Sequence, residues 1–403
     1  RKPIKDDDGV PLPGCGSRGT QDHLYTFNER LHYYKNVKKR PTHMFFLDFS
    51  KAFDRCDHDA LFVKLHRMGI DDRLLDAIMR MYENMTAQVT VNGHKSKPFN
   101  LKVGTAQGCP ISPTLFNVYI NDLVEELSNQ GANINCQAYA DDIVVTTDNK
   151  NTLQNLINIC HRWTEKWRMA ANVKKCAVMT IQPRGNGNNN ADPGNAEALL
   201  WGANPIPNVD HYKYLGVIFD NQLNFKKQAT KAKAKASRTL GYISRYLPDI
   251  DAPQGFKIQV TNAIVMAGAT YGAEVWGYKA NSVKEINSVI EKTARKFTQL
   301  PKHADGECAR VLSGLRPFEL IRDVNTNNLL SKIKKLPVER PSRNTYELVK
   351  NSRNKGIAEM YKDFVFPSDK EKRREYFKRE SNNKLHELRK RHPLLTLGRE
   401  WKL

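Results

Sequence analysis

The sequence predicts an α+β fold. Short apolar runs suited to strands are interleaved with stretches whose apolar residues recur at helical spacing, and two of the strands end in carboxylates. "MFFLDF" (44–49) reads as a buried strand, and "DHDALFVKLHRMGI" (57–70) as a helix with Leu61, Leu65 and Met68 on one face. "DDRLLDAIMRMYENM" (71–85) is a second helix, and "TAQVTVNG" (86–93) a strand closing on an Asn-Gly turn. "PISPTLFNVYINDLVEELSNQ" (110–130) is a long helix opened by Pro and Ser. "INCQAYADDIVVTTD" (134–148) reads as strand, turn and strand. The stretch 153–167 sets Leu153, Leu156, Cys160, Trp163 and Trp167 on one helical face, the Trp pair as core. "RGNGNNNADPGN" (184–195) is a polar loop, and "HYKYLGVIFD" (211–220) a further strand. From about residue 222 the chain turns helical and basic, with a second helical region over "VTNAIVMAGATYGAEVWG". From about 345 it is polar and dense in Lys, Arg and Glu.

Charge narrows the partners. The chain has 403 residues, 40% of them apolar, with 64 Lys and Arg against 43 Asp and Glu for a net +21. Such an excess is self-repulsive unless a polyanion shares it, which points to nucleic acid first and an anionic membrane second. No apolar run of 18 residues exists to span a bilayer, so no membrane is expected as a partner. The opening "RKPIKDDDGV" has neither the apolar core of a signal peptide nor an initiator Met, so the chain reads as a fragment. Its seven cysteines are odd in number and form no CxxC pair, which predicts reduced thiols in an intracellular compartment. His386 and His392 have no cysteine partners and are not read as a zinc site.

Asp141 and Asp142 stand side by side between two apolar strands, where unpaired carboxylates are costly. A cation removes that penalty, and Asp48, at the end of another apolar strand, is the candidate third ligand. Hard oxygen donors suit Mg²⁺, which takes one or two carboxylates and completes its shell with water and phosphate. A pair of such ions about 3.5–4 Å apart catalyses in-line phosphoryl transfer. For an isolated Asp-Asp pair, the alternative is an ordinary surface turn. Between these strands lies "GTAQGCPISPTLFNVYIND" (104–122), whose Gly104 and Gly108 would let backbone approach a flat ligand, with the Gln107 amide nearby.

"FFLDFSKAFD", "GTAQGCPISPTLFNVYIND" and "AYADDIVV", in this order, resemble motifs A, B and C of reverse transcriptases, specifically the non-LTR, LINE-type retrotransposon enzymes. "SRGTQDHL" is similar to the family's R-G-T-x-D element, "NVKKCAVM" to its motif D with Cys176 where Ser or Thr is usual, and "YKYLGVIFD" to its primer grip. "ATYGAEVWG" and "SGLRPFEL" resemble segments that follow the palm, so the likeness covers about residues 14–325. It implies a right-hand polymerase architecture with a ferredoxin-like palm and a helical thumb. Residues 1–43 would be a remnant of the fingers leading into the palm, 44–221 the palm, 222–344 the thumb and post-thumb region, and 345–403 a basic tail.

The resemblance implies an RNA-directed DNA polymerase of a mobile element, with RNA template, DNA primer and deoxynucleoside triphosphates as partners and two Mg²⁺ ions, or Mn²⁺, as cofactors. Asp48, Asp141 and Asp142 would be catalytic and metal-binding, with the Phe49 carbonyl completing a metal shell. Phe53 falls at the sugar gate, where a ring clashes with a 2′-hydroxyl; its alternative is helix packing. Gln107 and Gly108 would line the nucleotide pocket, and Lys175 would protonate the pyrophosphate, its alternative being a surface lysine. Tyr214, Leu215 and Gly216 would hold the primer end. Lys227, Lys231 and Lys235 recur every four residues and would track duplex phosphates, or else form a solvated helix face. A nuclear location follows if the element is eukaryotic. The fingers motif R-P-I-S is not found, Cys15 replaces the usual aromatic in "PGCGSRGT", and no endonuclease is visible. The alternative function is a polymerase-derived RNA-binding or maturase-like scaffold that does not polymerise.

Overall fold

The computed structural model describes residues 19–83, 85–106, 108–131, 133–183, 198–243 and 253–350, with residues 352, 356, 357 and 379 beyond them. The loop read at 184–195, both tail histidines, Cys15 and most of the tail lie outside the described residues. The chain divides into two compact units, residues 1–23 with 34–215, and residues 24–33 with 216–403, so helix α1 (Thr20–Tyr33) is shared between them. The division falls at 215/216.

The first unit is built on β1 (Thr42–Leu47), followed by α2 (His58–Arg67) and α3 (Asp72–Glu83). Asp57 caps α2 by accepting the Ala60 N–H at 3.1 Å. The helix ends at Arg67, earlier than its apolar spacing suggests, because Gly69 turns left-handed (φ +75°). Leu61 and Leu65 are buried as expected, but Met68 falls past the last turn and is exposed. The expected strand over 86–93 is instead broken into β2 (Thr86–Ala87) and β3 (Thr90–Val91), with β4 (His94–Lys95) and β5 (Phe99–Asn100) as their partners. Its Asn-Gly turn does form: Asn92 and Gly93 both have positive φ and Val91 pairs with His94.

Helix α4 (Ser112–Ser128) carries Pro in its first turn. Strands β6 (Asn135–Tyr139) and β7 (Asp142–Thr147) form a hairpin, α5 (Lys150–Lys166) follows, and β8 (Ala177–Ile181) closes the sheet. The sheet is antiparallel with order β6-β7-β1-β8. Ignoring the small hairpins, this is a βαββαβ chain in which the first strand lies between the third and the fourth, the ferredoxin-like arrangement. Short strands β9 (Leu200–Trp201) and β10 (Asn204–Pro205) pair with each other, and β11 (His211–Tyr214) follows.

Strand alternation sorts the two faces of the sheet. Phe45, Leu47, Ile143, Val145 and Val178 join one core with residues of α4 and α5, including Leu115, Phe116 and Leu156. Asp48 and Asp142 belong to the opposite set, with Met44, Phe46 and Val144.

Beneath the sheet, Lys64 links α2, α4 and α5. It is 5% exposed, and its ammonium donates to the Tyr119 carbonyl and to Asp122 Oδ1, both at 2.6 Å. The Trp163 indole N–H shares that carboxylate oxygen at 3.0 Å, and the Trp167 ring lies 3.8 Å from the ammonium. Burial pulls the Lys64 pKa down to about 8, against the upward pull of Asp122.

The second unit opens with β12 (Val217–Asp220), separated from β11 by Leu215 and Gly216, whose φ values of +44° and +86° break the single strand expected over 211–220. The Asp220 carboxylate accepts N–H groups of Gln222, Asn224 and Phe225, seating the start of α6 (Lys226–Ile243). Helix α7 (Gln254–Val260) continues through a π-helical stretch, Thr261–Met266, into α8 (Ala267–Ala269), and α9 (Ala273–Trp276) follows. Next come α10 (Ala280–Phe297), α11 (Gly306–Ser313), α12 (Phe318–Lys334) and α13 (Pro341–Val349). Ala232, Ala236 and Leu240 of α6 are buried, as are Ile286 and Ile290 of α10, and Trp276 stacks on Phe318 with centroids 5.6 Å apart. The polar tail read from 345 begins inside a packed helix: Tyr346 and Val349 are buried, and the Ile357 N–H reaches Glu29 at 2.8 Å. Among the described residues, no helix is long and apolar enough to cross a membrane.

The Lys64 cluster is testable by stability. Replacing Asp122 with Ala strands a buried ammonium and should cost about 2 kcal/mol in denaturant unfolding, whereas Lys64→Met should cost less. Lys64 holds its proton less tightly folded than unfolded, so wild type should gain stability relative to Lys64→Met as pH rises from about 8 toward the ordinary lysine value of 10.5.

Candidate active site

The pairing of β1 with β7 aligns the acidic positions. His43 faces Thr147 and Leu47 faces Ile143, so one further step along the same register sets Asp48 level with Asp142. In the hairpin, Tyr139 pairs with Asp142, leaving Ala140 and Asp141 as a two-residue turn. Ala140 has φ +51°, the left-handed first position that a type II′ turn requires, at a cost of ~1–2 kcal/mol for a residue with a Cβ. Asp141 therefore sits at the tip, beside Asp142 at the strand end.

The backbone around Asp48 is held from the other side. The Asn172 N–H donates to the Asp48 carbonyl at 2.7 Å, and the Ser50 N–H to the Ala170 carbonyl at 2.8 Å. Phe49 faces Ala171 between those two bonds, so its own carbonyl turns away from Ala171, toward the hairpin side of the strand. The buried Cys176 thiol accepts the Asp48 N–H at 3.4 Å and lies 3.8 Å from the Asp48 carbonyl. Burial raises the Cys176 pKa to about 11, so this thiol stays protonated.

Burial pushes the Asp48 pKa up, Lys175 pulls against it, and Asp141 adds a smaller push upward. Burial, Asp141 and Asp48 push Asp142 up, against Lys213. Among the described residues, none donates a hydrogen bond to these three side chains or forms an ion pair with them. This is the charge pattern that a divalent cation relieves. Also among the described residues, no three His, Cys, Asp or Glu side chains are gathered tightly enough around one point to cage an ion. The carboxylates of Asp48, Asp141 and Asp142 are hard oxygen donors, the kind that suit a cation such as Mg²⁺, which takes one or two carboxylates and completes its shell with water and phosphate.

The other expected residues fall into place unevenly. Phe53 begins a 3-10 turn (Phe53–Arg55), and its half-buried ring stacks on Phe116 at 4.4 Å. Gln107 lies outside the described residues. Gly108 is exposed, with open space where a Cβ would stand. Gly104 does not serve ligand approach, because a Cβ there would lie 3.1 Å from the Asp54 carbonyl oxygen; its bareness serves packing. Lys175 is exposed and acts on Asp48 through space. Tyr214 and Leu215 are buried, and Gly216 in the second unit is left-handed with the Tyr271 ring where its Cβ would be. Lys227, Lys231 and Lys235 are exposed along α6, and the Lys235 stem lies over Gly268.

Sequence reasoning missed Tyr212, whose ring stacks on Phe46 at 4.0 Å and whose hydroxyl donates to the Lys175 carbonyl at 3.3 Å. Its alternation with Lys213 was a faint signal. It missed Phe116 too, and it read Asn172 only as part of the motif D segment without its bond to Asp48; both roles depend on contacts between distant segments.

A ferredoxin-like sheet that carries adjacent carboxylates at one edge defines a class, the palm of a nucleic-acid polymerase. The family model described as "Reverse transcriptase (RNA-dependent DNA polymerase)" matches residues 7–219, more than half of the chain, and the chain belongs to that family. The fold class is accordingly α+β of the right-hand polymerase type, and the family generally uses divalent metal ions. The expected likeness to non-LTR retrotransposon enzymes holds. The chain is 28% identical over 269 residues to the RNA-directed DNA polymerase from mobile element jockey of Drosophila melanogaster, covering 64% of this chain and 28% of that protein. It is 25% identical over 304 residues to the Pol polyprotein from type-1 retrotransposable element R2 of Popillia japonica, covering 70% and 47%. The chain thus spans less than half the length of these relatives. Among solved structures, apo telomerase from Candida tropicalis aligns with a TM-score of 0.40 at 14% identity, over 81% of this chain and 56% of that one.

If the crowding of carboxylates is what a cation relieves, Asp142→Asn should raise the melting temperature of the metal-free protein. Mg²⁺ should raise that of the wild type and leave the variant unmoved. Calorimetry with and without the ion checks both.

Proposed function

We propose that this chain is the polymerase core of a mobile element's RNA-directed DNA polymerase, adding deoxynucleotides to the 3′-hydroxyl of a DNA primer on an RNA template. The observation that carries this reading is the β1–β7 register, which sets Asp48 level with Asp142 and one step from Asp141. Membership of the reverse transcriptase family supports it.

Asp48, Asp141 and Asp142, with the Phe49 carbonyl, would hold two Mg²⁺ ions, for which Mn²⁺ could substitute. When bound, such ions lower the pKa of an attacking hydroxyl and neutralise charge on the leaving oxygen. The chain's own groups do the rest. Lys175 gives a proton to the departing pyrophosphate, and the Tyr212 hydroxyl, bonded to its carbonyl, steadies its backbone. Phe53 bars the 2′-hydroxyl of a ribonucleotide. Gly108, exposed and with open space where a Cβ would stand, would line the nucleotide pocket, and the Gln107 amide, outside the described residues, would serve the same nucleotide. The backbone of Tyr214, Leu215 and Gly216 positions the primer end, since the first two side chains are buried. The exposed Lys227, Lys231 and Lys235 contact phosphates of a hybrid duplex without regard to sequence. An intracellular site of action, nuclear in a eukaryotic host, fits the unpaired state of the six described cysteines.

Primer extension on an RNA template tests the reading. Wild type should extend with Mg²⁺, and Asp141→Asn should lose about 10³-fold or more in rate while still binding the template–primer. Tight RNA binding without extension by the wild type would instead favour a non-polymerising scaffold.

A further inference from the structure

Excluding a 2′-hydroxyl with an aromatic ring works only if the ring cannot retreat. An apolar pocket by itself rejects an added hydroxyl by only about 10²-fold. The surroundings of Phe53 bear on this directly. Its ring stacks on Phe116 of α4, with centroids 4.4 Å apart and planes inclined at 26°. Phe116 is itself fully buried in the core between α4 and the sheet, so it offers no room behind.

The backbone of the same turn is gripped separately. The Thr105 N–H donates to the Phe53 carbonyl at 2.8 Å, and the Thr105 hydroxyl reaches the same oxygen at 3.4 Å. The Gly104 N–H donates to the Cys56 carbonyl at 2.7 Å, and the His58 ring contacts the Gly104 carbonyl at 2.8 Å. Gly104 adopts φ +95° and lies so close to Asp54 that a Cβ would come within 3.1 Å of its carbonyl oxygen. Phe116 of α4 thus backs the ring and Thr105 holds the backbone that carries it, in a turn braced through Gly104 and His58.

We infer that Phe116, together with the Gly104–Thr105 backbone, is a specificity-determining positioning element that sets the depth of the Phe53 ring and thereby the exclusion of ribonucleotides. The inference rests on the polymerase reading above. Phe116 touches no reacting atom, and its effect on nucleotide choice is exerted through Phe53. Two covalently independent restraints, a ring stack and a backbone clamp, act on the same residue, and each can be loosened alone.

The test is single-nucleotide extension of a DNA primer on an RNA template by the full chain, comparing kcat/KM for a deoxynucleotide and its ribonucleotide. Phe53→Ala serves as the control that removes the ring. Phe116→Leu, which keeps most of the volume but no flat face, should lower selectivity roughly tenfold by admitting ribonucleotide, with deoxynucleotide kcat little changed. Thr105→Val should lower it in the same direction by less. Phe116→Tyr, which keeps the stack but buries a hydroxyl, should melt at a lower temperature and retain selectivity, an outcome that a merely structural role does not give. Loss of selectivity in Phe53→Ala with wild-type selectivity in Phe116→Leu would overturn the inference and leave the polymerase reading intact. No extension by the wild type overturns that reading itself, and the inference falls with it.

Discussion

The antiparallel pairing of β1 with β7 is the constraint on which the rest of the first unit depends. Side chains alternate along a strand, so the register that sends Phe45, Leu47, Ile143 and Val145 into the helix-covered core sends Asp48 and Asp142 to the other side. A slip of β7 by one residue would turn Ile143 and Val145 away from that core and separate the carboxylates. Burying each such side chain is worth about 1.5–3 kcal/mol, so the core holds the acidic positions together against their mutual repulsion. Stability and chemistry are thereby coupled through a single alignment.

The acidic edge costs free energy in the absence of a cation, and the surrounding structure offsets that cost without neutralising it. Lys175 and Lys213 act on Asp48 and Asp142 through space, and neither closes an ion pair with them. Asn172 and Cys176 grip the Asp48 peptide instead of its carboxylate. Rigid backbone and unpartnered side chains are the combination a metal-dependent site needs, because ligands must be placed without being consumed by local partners. The buried Lys64 cluster contrasts with this. There a single cation is fully engaged by a carbonyl, a carboxylate and aromatic rings, and its role is to tie three helices together beneath the sheet.

Much of this was legible before any coordinates. The strand over 44–49, the helices over 57–70, 110–130 and 153–167, and the hairpin around Asp141 follow from periodicity and capping residues. What escaped was local conformation set by distant contacts. Gly104 looked like a ligand-facing glycine, but its bareness accommodates Asp54, fifty positions away. Met68 matched the apolar face of α2, but the helix stops one residue before it. The run 211–220 looked continuous, but Leu215 and Gly216 break it with left-handed backbone.

The sequence by itself determined which residues are acidic, apolar or basic, where helices begin, and that three carboxylates sit at strand ends. Those properties depend on neighbours within a few positions, which any reading of the chain contains. Tertiary structure alone decided that Asp48 and Asp142 stand abreast, that Phe53 leans on Phe116, and that Tyr212 joins Phe46 to the Lys175 turn. Strand order and side-chain packing link positions from tens to well over a hundred residues apart, and no local propensity encodes that distance.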